Sequence, residues 1–263
     1  MPVLFIGHGS PMNAIEHNAF TEALTSLGSR LPRPKAVCVV SAHWVTSGPH
    51  VLVSAHPRTI HDFYGFPRPL YEVQYPAPGA PVEARKLAAN SEISPALTQD
   101  DQWGLDHGAW SVLRHLYPKA EVPAFQLSLD ERRNFQEHFE LGREIASLRE
   151  RGVLILGSGN IVHNLRRIDW NNPLGAYDWA VEFDAKVKTA VEARNTDALT
   201  APQKWGEALL ATAHPTLEHY LPLLYCMGST DEKDPTSYPY EGFDFGSISM
   251  RAILFGNAAA PGN

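Results

Sequence analysis

An α/β fold is predicted for this chain: a single domain over residues 1–263, with a central mixed, mainly parallel sheet flanked by helices on both faces. Three observations predict it. With 263 residues, 44% of them hydrophobic, the chain can bury one large core. Short apolar runs rich in β-branched and aromatic residues lack polar–apolar alternation, which marks strands buried on both faces. Segments of helical periodicity lie between these runs, and strands alternating with helices imply a covered sheet.

The strand runs are Val3 to Ile6, Ala36 to Val40, Val122 to Leu127, Val153 to Leu156 and Ile248 to Phe255. Arg133 to Arg151 reads as a helix, with Phe135, Phe139, Ile145 and Leu148 near one stripe and Gly152 as its stop. Tyr177 to Arg194 and Pro202 to Ala213 also read as helices, and so does Thr216 to Tyr225, since Pro215 is tolerated ahead of a first turn. Between His56 and Pro81 the density of proline and glycine predicts a long ordered loop with at most a short edge strand. Loops of that length in a compact domain usually serve function.

Lys+Arg 22 against Asp+Glu 29 leaves a net charge of −7, which argues against a nucleic-acid face or a polybasic membrane patch. The two cysteines, Cys38 and Cys226, allow neither a disulfide framework nor a thiolate metal cage, so a reducing cytoplasm is expected. The opening MPVLFIGHGS has no charged n-region or cleavage site and is expected to be a strand rather than a signal peptide. No stretch reaches the ~18 apolar residues of a membrane span.

The histidines carry the chemistry. Of 12, His8, His43 and His163 each follow an apolar run within a few small residues: VLFIGHGSP, VVSAHW and VLILGSGNIVHN. In open α/β sheets ligands bind beyond the carboxyl ends of strands. Parallel strands would therefore bring these imidazoles to one edge, and neutral imidazole is the commonest metal ligand. One such histidine alone is usually a hydrogen-bonded loop residue; three in matching positions favour a shared site. In AHPTLEHYLP, His214 and His219 are five apart and cannot share a helix face. His219, placed inside the expected helix, is read as inward-facing and His214 as a cap. His107 stands at a helix entrance beside Gly108, and His61 lies in the long loop beside Asp62 and Phe63.

Seven segments in order, GHGSP, SAHW, TIHDFYGFP, YPAPG, WGLDHGAW, GSGNIVHNL and PTLEHYLPLLY, make the chain resemble the class III extradiol ring-cleaving dioxygenases, in particular the 4,5-DOPA dioxygenase extradiol branch. The resemblance implies that His8 and His43 bind metal, joined by His219 where protocatechuate-type members use Glu. Glu218 and Glu241 are the carboxylate alternatives. His163 matches the acid/base histidine, which in zinc-loaded members of that branch is also a ligand, and His107 matches a histidine near bound substrate. Fe(II) is expected for activity, with Zn(II) acceptable in the same site, and the reactants are a catechol and O₂. An acid/base role calls for a histidine titrating near the working pH. His61 and Phe63 are expected to contact substrate, with Phe63, Tyr64 and Phe66 as stacking walls. A substrate carboxylate would need a cation, for which Arg58, Arg68 and Arg166 all qualify. The competing readings are a zinc hydrolase, which wants a carboxylate base of the H-E-x-x-H kind, and a non-enzymatic binding protein, which would lack His163.

Overall fold

In the computed structural model, which describes residues 1–90 and 96–258, the first four predicted apolar runs and the end of the fifth become strands of one eight-stranded sheet. The strands in chain order are β1 (Val3–Gly7), β2 (Ala36–Thr46), β3 (His50–Leu52), β4 (Arg58–Thr59), β5 (Thr98–Asp100), β6 (Gly104–Leu105), β7 (Ala124–Asp130), β8 (Val153–Gly159), β9 (Thr236–Tyr240), β10 (Phe243–Asp244), β11 (Ile248–Ser249) and β12 (Ala252–Phe255). The helices are α1 (Ala19–Arg30), α2 (Arg68–Tyr71), α3 (Pro81–Asn90), α4 (His107–Leu116), α5 (Phe135–Ile145), α6 (Asp178–Glu192), α7 (Thr196–Leu199), α8 (Glu207–Ala213) and α9 (Leu221–Gly228). Residues 91–95 and 259–263, which the expected span of 1–263 includes, lie outside the described residues.

The sheet order is β5-β3-β7-β2-β8-β1-β12-β9. The four central strands β7, β2, β8 and β1 run parallel, while β3 and β12 join them antiparallel on either side. Every residue of β1, β7 and β8 is buried, which is why these segments do not alternate. Neighbouring residues of a strand face opposite sides of the sheet. On one side Ser158 Oγ donates to the Gly108 carbonyl of α4 at 2.6 Å. On the other, a Cβ at Gly157 would meet Cys226 and Pro222 of α9. Helices therefore cover both faces, as expected. Register brings the strand ends level: Ile6 and Ser41 both pair with Ser158, and Gly7 with Gly159.

Three expectations are corrected. The last helix begins at Leu221, not Thr216, because Asn160 N–H, just past β8, takes the His219 carbonyl at 2.9 Å and holds the preceding residues in a turn. His219 thus precedes the helix. The run Ile248 to Phe255 is two strands, β11 pairing β10 and β12 pairing β1. Between them Arg251 turns into buried contacts with Asp184 and a pairing with Glu241. The stretch from Pro202 is a 3₁₀ turn to Trp205, then α8 from Glu207, the break falling at Gly206 with φ of 130°. The long loop does hold a short strand, β4, paired with β6. No helix among the described residues is long and apolar enough to cross a membrane.

Candidate active site

His8 is the first residue beyond β1, and its N–H donates to the Gly159 carbonyl at 3.0 Å. Its Nδ1 lies 3.0 Å from Ser158 Oγ, whose own proton goes to Gly108. The serine must then accept, so Nδ1 of His8 carries the hydrogen and Nε2 is left as a lone pair. That Nε2 faces Nε2 of His43, still within β2, at 3.0 Å. His43 turns its other nitrogen, Nδ1, toward Asp62 at 3.5 Å.

Asp62, from the long loop, also accepts the His107 backbone N–H at 2.8 Å and engages its Nδ1 at 2.9 Å. His107 is placed by its neighbour Asp106, which caps α4 through Ala109 N–H at 3.1 Å. Asp106 is itself held by Ser41 Oγ at 2.7 Å and Gln126 Nε2 at 2.8 Å, tying the helix start to β2 and β7. A helix N-cap thus aims a histidine at the strand ends.

His163 and His219 complete the group. His163 is anchored by its N–H on the Ala213 carbonyl at 3.0 Å, and its ring stacks on His219 at 3.5 Å. Nδ1 of His219 meets Glu218 at 3.2 Å, and its Nε2 is buried with no hydrogen-bond partner. The His219 ring is 5.4 Å from that of His8 and 5.0 Å from that of His43, while the His107 ring is 3.9 Å from that of His43.

Burial, reinforced by neighbouring imidazoles, holds His8, His43 and His219 well below the ordinary histidine range. The same causes push His163 down to about 3. Without a bound substrate these surroundings favour the uncharged His163 ring, which carries one free lone pair. Burial works to raise Asp62, but its hydrogen bond to His107 and the nearby imidazoles outweigh that, and it is held below the usual carboxylate range.

The residues fit a divalent cation. Two imidazole nitrogens each about 2.1 Å from one ion sit about 3.0–3.4 Å apart, the separation of the His8 and His43 lone pairs. Their second nitrogens are engaged by a hydroxyl and a carboxylate, as ligating imidazoles require. His8, His43 and His107 form one group whose ligand atoms lie within 4.8 Å of one another, and His163, Glu218 and His219 form another.

The five histidines open on a cavity of about 870 Å³ whose wall includes Phe63, Tyr64 and Phe66. His61 is not in that wall; its Nε2 meets the Val73 carbonyl at 3.0 Å, and its ring backs Phe63 and Trp110. Among the described residues His61 therefore lies against Phe63 and not in the cavity wall. Glu241, an alternative ligand, is drawn away to Lys188 and Arg251. Asp62 was not singled out by its sequence context; the signal for it is only its place beside His61 in a loop that folds back over the strand ends.

An α/β sheet whose parallel strands end in a buried, neutral imidazole cluster, open to an aromatic-walled cavity, defines a histidine-centred site suited to a metal and a planar organic molecule. The chain belongs to the aromatic ring-opening dioxygenase family: the family model described as catalytic LigB subunit of aromatic ring-opening dioxygenase matches residues 3–250. It is 44% identical over 260 residues to a 4,5-DOPA dioxygenase extradiol of Escherichia coli K12, covering 97% of this chain and 95% of that one. A protein of the same name from Beta vulgaris is 37% identical over 262 residues, covering 95% of each. The crystal structure of an uncharacterized protein from Escherichia coli K12 superposes with a TM-score of 0.84 at 40% identity, covering 97% of this chain and 100% of that one. The chain is thus an enzyme of the extradiol ring-opening dioxygenase class, whose reactants are a small aromatic molecule and O₂.

Proposed function

We propose that this enzyme cleaves the ring of a catechol such as DOPA with O₂ to give a semialdehyde, at a divalent metal held by His8, His43 and His219. The observation that carries the reading is the pair of facing Nε2 lone pairs of His8 and His43, 3.0 Å apart, beside the buried, unpartnered Nε2 of His219. The relatives named 4,5-DOPA dioxygenase extradiol support the substrate class. Fe(II) bound by these neutral nitrogens would supply Lewis-acid charge to the diol oxygens and the electron chemistry with O₂. Zn(II) suits the same donors and competes for them, being the tighter-binding ion in the usual order.

The chain's own groups do the rest. His163, uncharged in the free site, is placed to accept a catechol proton once the developing negative charge of the diol lies beside it, and to return that proton to an oxygen later in the reaction. Its stacking on His219 fixes that ring next to the metal-binding face. Asp62 holds His107 and His43 in orientation, so His107 presents its Nε2 side to the substrate. Phe63 offers an aromatic face to the diol ring, backed by His61. The hydrolase alternative needs a carboxylate beside the histidines free to take a proton from water, whereas the two carboxylates that contact the histidine rings, Asp62 and Glu218, are both engaged with imidazole nitrogens.

Anaerobic loading with Fe(II), then addition of catechol and O₂, is expected to give a yellow product with one O₂ consumed per catechol. Absence of O₂ uptake across a panel of catechols overturns the reading. His163→Ala is expected to keep its metal and lose about 10²–10⁴-fold in turnover, the usual worth of a positioned acid/base.

A further inference from the structure

The charges on the cavity wall are uneven. Besides the histidines, the described wall residues carry four acids, Glu16, Asp62, Glu218 and Asp244, and one permanent cation, Arg166. Of the three arginines that the sequence left as equals, Arg58 and Arg68 lie outside this wall, and Arg68 pairs with Glu72 at 2.7 Å. Arg166 is exposed at the mouth, and its guanidinium has no ion-pair partner among the described residues. Its backbone is nevertheless fixed. Asn164 accepts the Arg166 N–H at 3.0 Å and donates from Nδ2 to the Thr212 carbonyl at 2.6 Å. Ser247 Oγ donates to the Asn164 carbonyl at 2.8 Å. The result is a pinned 3₁₀ turn, Leu165–Arg167, starting two residues after His163. The cavity, about 870 Å³, is also far larger than a bare diol ring fills.

We propose that Arg166 is a specificity-determining residue that selects catechols carrying a carboxylate on a short tail, pairing its guanidinium with that carboxylate while the diol end lies at the histidine cluster. The assignment rests on the ring-cleavage reading for the placement of the diol. A guanidinium fork matches a carboxylate with two parallel hydrogen bonds, which a lysine ammonium does not reproduce. The acids elsewhere on the wall repel an anion, so a tail bound in any other direction is disfavoured.

The test uses zinc-loaded protein without O₂, where no turnover occurs, and calorimetric binding of dihydrocaffeate and of its methyl ester, which differ in one charge. The wild type is expected to bind the acid about tenfold tighter than the ester, the worth of one charge-assisted pair at a solvent-open site. Arg166→Gln is expected to bring the ratio to about one, and Arg166→Lys to leave an intermediate ratio. Arg167→Gln, which alters the adjacent charge on a smaller cavity that Arg166 also borders but leaves the histidine cavity's wall unchanged, is expected to keep the preference. An acid-to-ester ratio near one in the wild type overturns the assignment, as does a preference that survives Arg166→Gln or is lost equally in Arg167→Gln. Oxygen uptake by the Fe(II)-loaded wild type separates the two readings. Uptake without acid preference removes Arg166 alone, and acid preference without uptake removes ring cleavage while leaving the anion site.

Discussion

At the floor of the cavity His8, His107 and His219 are buried, and each ring has a nitrogen engaged by Ser158, Asp62 or Glu218. At its mouth Tyr64, Leu165, Trp170 and Leu174 are 91%, 62%, 75% and 82% exposed. The floor hangs on strand ends and a capped helix, where backbone hydrogen bonds leave little freedom. The mouth is carried by loop segments whose large apolar side chains have few neighbours. The contrast separates chemistry from selection: ligand geometry must be held to fractions of an ångström, whereas substrate choice can be tuned on surfaces that cost the fold little.

The largest effect should come from the floor. His8→Ala and His43→Ala are each expected to abolish stoichiometric metal binding, read by elemental analysis of folded protein. Full metal content in both would place the ligands elsewhere, with His107 the first to be examined. Asp62→Asn comes next. It keeps an acceptor for the His107 backbone but loses the carboxylate that orients two imidazoles, and about a 10–100-fold loss in metal affinity or activity is expected. An unaltered affinity and rate would reduce Asp62 to a structural loop anchor.

A smaller effect follows from protonation. His214 backs the floor through Nε2 on the Ile161 carbonyl at 2.7 Å, and burial pushes it down to about 4 from its ordinary 6.5. Between those values the unfolded chain binds more protons than the fold. The contribution is therefore complete above pH 6.5 and is lost as pH falls toward 4, at most about 3 kcal/mol from this group. Urea midpoints of the metal-free protein should fall over that window; a flat profile would contradict the burial of these rings. The smallest effect belongs to the mouth. Trp170→Ala is expected to change unfolding free energy by less than about 1 kcal/mol, since it alters mostly exposed surface and a single ring contact with Phe245. A loss beyond about 2 kcal/mol in the same urea measurement would erase the distinction between floor and mouth.

Much of this architecture can be read along the chain. The central strands announce themselves because burial on both faces demands continuous apolar runs, and His8, His43 and His163 stand out because each follows such a run. Elements at the periphery are harder to read. Strand β3 and the edge strands β5 and β9 are short and partly exposed, so little hydrophobic pattern marks them. The start of α9 depends on a hydrogen bond between Asn160 and His219, fifty-nine positions apart, which no local propensity encodes. The pairing of Asp62 with His107 spans 45 positions and is equally silent in the sequence.

The sequence by itself determined the kind of fold, the sheet edge on which the chemistry falls and the residue types gathered there, because periodicity and strand-end position are local properties of a chain. Tertiary structure alone decided which carboxylate orients which imidazole, that His61 lies against Phe63, and which arginine borders the cavity. Those outcomes depend on burial and on distances between segments far apart in the chain, and neither exists until the segments pack.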